Sequence, residues 1–78
     1  MSDGIDEVNA ALASEDPIGE LRKTAIDLCA KLGREAARGA FASVCEDLAE
    51  KGRDEEAAII AEAIDMLDEW FAGGRAWF

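Results

Sequence analysis

Apolar side chains recur every third or fourth residue from Ile5 to Phe71, and no stretch of the chain alternates apolar with polar residues one by one. Spacings of three and four collect side chains on one face of an α-helix, whereas a strand needs a period of two. The pattern therefore predicts an all-α fold. With 78 residues there is room for a single helical domain, residues 1–78, around a thin core. A chain this short buries only about 60–65% of the surface its unfolded form exposes, so it needs a staple or a partner. Two cysteines and no histidine offer neither a disulfide framework nor a structural zinc site. Self-association, with a homodimer as the expected form, or a permanent partner is left to supplement the core.

Ile5, Val8 and Leu12 follow Ser2 and Asp3, either of which can cap, and predict a short helix over about 3–13. Asp16 can cap a second helix, with Pro17 in the first position where a missing N–H costs nothing. That helix, about 17–32, carries a stripe of Ile18, Leu21, Ala25, Leu28, Cys29 and Leu32, and Gly33 stands where a helix often ends. A third helix, about 34–51, places Ala37, Phe41, Val44 and Leu48 on one face. Gly33 is expected to break the chain rather than kink it, because an unbroken phase would put Glu35 and Gly39 on the apolar side.

Asp54 reads as the cap of a fourth helix, about 55–72. Its main stripe is Ile60, Ala63, Ile64, Leu67 and Phe71, and Ile59, Met66 and Trp70 form a second. So wide a face exceeds what one neighbouring helix covers. The second stripe is expected either to meet the short first helix or to lie in a subunit interface. Gly73-Gly74 is expected to stop the helix and leave 73–78 as an aromatic tail. The architecture that follows is a small bundle of three main helices in antiparallel hairpins, plus the short N-terminal one. Phe41, Val44, Cys45, Leu48 and Ala57 have tetratricopeptide-like spacing, but Ala61 stands at the aromatic position and the terminal proline is missing. Repeats stack in threes or more, so this segment reads as an ordinary helical hairpin.

The net charge is −10, with 18 acidic against 8 basic residues. Such a balance repels nucleic-acid phosphates and anionic membranes, and it suits a basic protein surface. The charge is segregated: a basic band of Arg22, Lys23, Lys31, Arg34 and Arg38 lies between two acidic stretches. These charges can pair within one bundle or between copies. The longest apolar run, residues 57–61, is far too short to cross a membrane, which takes roughly 20 residues. Two cysteines in a chain opening Met-Ser-Asp, with no basic-then-apolar leader, fit a reduced cytoplasmic protein.

Catalytic, cofactor-binding and metal-binding residues are not expected. Without histidine the chain lacks the commonest general acid–base group and metal ligand. Ser2, Ser14 and Ser43 have no base beside them, and Cys45 is followed by Glu46 and Asp47, which disfavour a thiolate. A di-metal carboxylate bundle needs a Glu-x-x-His element that is missing. Gly19 and Gly39 fall inside helices, and Gly39 belongs to a small-residue run, Ala36-Ala37-Arg38-Gly39-Ala40, which allows close helix approach within the chain or across an interface.

Four of the five aromatic residues fall in the last nine positions: Trp70, Phe71, Trp77 and Phe78. Aromatic side chains bury large areas, and binding energy concentrates on tryptophan. The expected function is a non-enzymatic protein–protein interaction module. Ile59, Met66, Trp70, Trp77 and Phe78 would supply apolar contact, and the ridge of Glu62, Asp65, Asp68 and Glu69 would supply electrostatic contact. The alternative is an acidic mimic of nucleic acid that inhibits a basic DNA- or RNA-binding protein.

Overall fold

Four helices follow the four apolar stripes in the computed structural model, which describes residues 4–76: α1 (Ile5–Leu12), α2 (Pro17–Leu32), α3 (Arg34–Glu50) and α4 (Asp54–Ala76). The described residues contain no strand. Helix α1 begins two residues later than its sequence suggests. Its N-cap position is Gly4, at φ 93°, whose carbonyl accepts from Val8 N–H at 3.1 Å; Ser2 and Asp3 lie outside the described residues. Gly4 is buried, and a Cβ there would sit 2.8 Å from both δ-carbons of Leu28. The backbone therefore lies directly on α2, which only glycine permits at this φ.

The start of α2 is as expected: Asp16 Oδ1 accepts from Gly19 N–H at 3.4 Å, and Pro17 occupies the first turn. Gly19 is more than a tolerated residue, because a Cβ on it would collide with the capping carboxylate. Gly33, at φ 96° and ψ 163°, separates α2 from α3 as a full break. Its N–H closes α2 on the Cys29 carbonyl and its own carbonyl accepts from Ala37, both at 3.0 Å, so one residue serves both helices.

Two other expected boundaries need correction. Asp54 is the first residue of α4 and not its cap. Helix α3 ends in a Schellman turn, with Arg53 N–H on the Leu48 carbonyl at 2.9 Å and Gly52 N–H on Ala49 at 3.1 Å, around Gly52 at φ 76°. This turn delivers Arg53 to the cap position, where its carbonyl takes the Ala57 N–H at 2.9 Å. The second correction is at the other end of α4, which continues through Gly73 and Gly74 to Ala76. Glycine costs about 1 kcal/mol in a helix relative to alanine but does not forbid one. Trp70 and Phe71, both in the core, hold the turn just before the pair.

Helices α2, α3 and α4 each pack against the other two, while α1 lies on α2 and α3 and scarcely touches α4. The largest fully buried side chains are Val8, Leu21, Phe41, Val44, Ile60 and Leu67, so all four helices meet in one core. No polar or charged side chain is buried among the described residues. The radius of gyration, 11.6 Å, is what a compact chain of this length has, about 11.5 Å.

Candidate interaction surface

One edge of α4 faces α3. Ala57 takes the Cys45 Sγ–H on its carbonyl (3.7 Å), Asp68 accepts from Arg38 Nη2, and the Arg34 guanidinium lies 6.0 Å from the centre of the Phe71 ring. Ile59, Met66 and Trp70 fall on the opposite edge, the one left for α2. The broad apolar face does need two neighbours, as its width implies. The second is α2, and α1 scarcely touches α4.

Exposure separates the five apolar residues singled out from the sequence. Trp70 is only 9% exposed and belongs to the core, so the folded chain offers a partner little of it. Ile59 and Met66 are half-buried and packed against the core by their inner sides. Trp77 and Phe78 lie outside the described residues. The wide stripe recorded Trp70 as apolar but could not tell core from rim, since both lie within one broad helical arc.

Glu62, Asp65, Asp68 and Glu69 are all exposed, on the side of α4 opposite its buried stripe. Asp68 is the exception to free solvation, through its ion pair with Arg38. This is the only ion pair among the described residues that joins two helices. Lys23 pairs with Glu20, Lys31 with Asp27, Lys51 with Asp47 and Arg53 with Glu56, all three or four residues apart in sequence. The basic band therefore makes little tertiary pairing. Exposed pairs of this kind contribute between zero and about 1 kcal/mol each.

Among the described residues no three or more Asp, Glu, Cys or His side chains converge as metal ligands, and no buried polar side-chain atom lacks a partner. Cys29 and Cys45 are free thiols, both half-buried. No helix of the described residues is long and apolar enough to cross a membrane.

Sequence reasoning missed a groove on the far side of α3. Ile5, Leu32, Ala36, Gly39, Ala40 and Ser43 line it, and it holds about 360 Å³. Leu32, placed with the core stripe by spacing alone, is 48% exposed. It is the last residue of α2, and the break at Gly33 turns the chain away before anything can cover it. Gly39 was legible as unusual, but its setting was not. A Cβ there meets nothing within 4 Å, so no close helix crossing inside the chain explains it. Gly39→Ala should therefore stabilise the protein by about 1 kcal/mol through helix propensity alone, raising Tm by about 4–8 °C in a thermal melt. A fall in Tm would mean that Gly39 is packed, within the chain or against a second copy.

The chain matches no protein-family model, no curated protein and no solved structure.

Proposed function

We propose that this protein is a non-enzymatic, acidic helical interaction module (an accessory subunit, adaptor or small regulator) that self-associates and binds a protein with a basic surface. The observation that carries the reading is the outer face of α4. Glu62, Asp65, Asp68 and Glu69 stand exposed along it, and Ile59 and Met66, half-exposed, border it. Carboxylates in a row steer a basic partner and set orientation, while the apolar border supplies contact that excludes water. Trp77 and Phe78 add an apolar docking element beyond Ala76, and Trp70 takes no part. The same reading makes α2, α3 and α4 a three-helix bundle of antiparallel hairpins. In its support, Cys45 meets Ala57 near the α3–α4 turn, and Arg38 meets Asp68 further from it. Two free thiols suit a reducing cytoplasm.

The test is capture of partners by the wild type and by a Glu62→Lys/Asp65→Lys/Glu69→Lys variant, with the captured protein then titrated against both. The variant should bind at least about 10-fold more weakly while keeping its helical content, because each reversal turns attraction into repulsion. Equal binding by the two would remove α4 from the interface.

The continuity of the carboxylate row also favours a second reading, nucleic-acid mimicry. Mimicry requires binding that collapses with salt and ignores Ile59→Ala/Met66→Ala. Apolar docking survives moderate salt and loses affinity on that double substitution.

A further inference from the structure

The described fold leaves the groove on α3 open. Its floor is Ala36, Gly39, Ala40 and Ser43, spaced i, i+3, i+4 and i+7 along one side of the helix, and Ile5 and Leu32 form its walls. Leu32 is the one large apolar side chain left exposed among the described residues. A glycine inside a helix costs about 1 kcal/mol relative to alanine, and here the space beside it is open. At about 360 Å³ the groove is at the small end of the range for ligand pockets, roughly 300–1,000 Å³, and it is open on one side. Large flat side chains entering over a floor of small residues would fill it.

The chain itself carries such a pair. Phe71 is level with Arg34 at the start of α3, so the stretch from 72 to 76 carries α4 about 7.5 Å past that end of the body. Trp77 and Phe78 follow directly. The groove occupies the side of α3 turned away from α4, the helix that leads to them. Arg34, Arg38 and Cys45, which meet α4, lie on the opposite side of the helix from Ala36, Gly39 and Ser43. Charge points the same way. Arg75 is the only cation after Arg53, and exposed Glu35 and Glu46 flank the groove on α3.

We propose that the groove receives the Trp77-Phe78 pair of a second copy, so that two copies exchange these segments reciprocally. The proposal rests on the self-association part of the reading above and names its interface. Reciprocal exchange closes the assembly at two, whereas one-way insertion would build an open chain of copies. Trp77 and Phe78 then dock a second copy, and the acidic face of α4 with Ile59 and Met66 is left free for another protein.

The experiment is light scattering and sedimentation on the full chain and on two variants, Gly39→Leu and Trp77→Ala/Phe78→Ala. The first carbon of a side chain at 39 meets nothing within 4 Å and leucine favours the helix, so circular dichroism should show the fold intact. The wild type should be a dimer. Each variant should associate about 100-fold more weakly or worse, as the loss of a tryptophan-centred contact implies. An equimolar mixture of the two should regain dimers, because one intact groove then faces one intact aromatic pair. A wild type that stays monomeric at all concentrations would sink self-association itself. A dimer indifferent to Gly39→Leu would clear the groove of any role. Sensitivity to Gly39→Leu without sensitivity to the aromatic substitutions would show another occupant, and failure of the mixture to recover would rule out the pairing; either result overturns the proposal.

Discussion

Replacing Phe41 by alanine should cost about 4 kcal/mol, a third or more of the stability of a domain this size. Phe41 is fully buried in the middle of α3, the helix that packs against all three others. Truncating a buried phenylalanine costs about 3–5 kcal/mol, part of it lost transfer energy and part the cavity left behind. A domain of this size has about 4–12 kcal/mol in total. The core is also thin, so few side chains are available to collapse into the space. Urea titration followed by far-ultraviolet circular dichroism measures the effect. A loss under about 1 kcal/mol would show that Phe41 is peripheral and that the four helices do not share one core.

The Trp70→Ala substitution should destabilise the protein by about 3 kcal/mol, and Met66→Ala, one turn earlier, by about 1. Both residues belong to the same sequence stripe, yet Trp70 is 9% exposed in the core cluster and Met66 is only packed against it. The value for Trp70 sits at the low end for a buried tryptophan because its site lies near the end of the body, where neighbours can relax. The contrast separates two roles. A tryptophan serving a partner leaves Tm unchanged when truncated and weakens binding, whereas a core tryptophan lowers Tm first. Thermal melts of the two variants side by side decide it, and equal effects would contradict the burial seen here.

These two substitutions also mark where spacing stops being informative. Phe41 was legible as core because its stripe is narrow: Ala37, Phe41, Val44 and Leu48 are all buried. Trp70 was not, because the arc from Ile59 round to Ile64 is too broad for period alone to separate centre from edge. Leu32 shows the same limit at a helix end. It keeps perfect phase with Leu21, Ala25 and Leu28, yet burial depends on what lies opposite, and past Gly33 nothing does. Asp54 shows that a good capping residue loses its role when the preceding turn delivers its neighbour to the cap position.

The amino-acid sequence by itself determined the helices, the breaks at Pro17, Gly33 and Gly52, and the outward placement of the acidic ridge. These follow from local chemistry: side-chain period, capping oxygens and the backbone freedom of glycine act over one or two turns. Only the tertiary structure decided that α4 is covered by α2 and α3 and that Trp70 is interior. It alone also decided that Gly4 must be bare because Leu28 lies against it, and that Gly39 opens onto a groove instead of a crossing. Each of those depends on which residues distant in sequence arrive opposite one another, and helical periodicity specifies a face without specifying its neighbour.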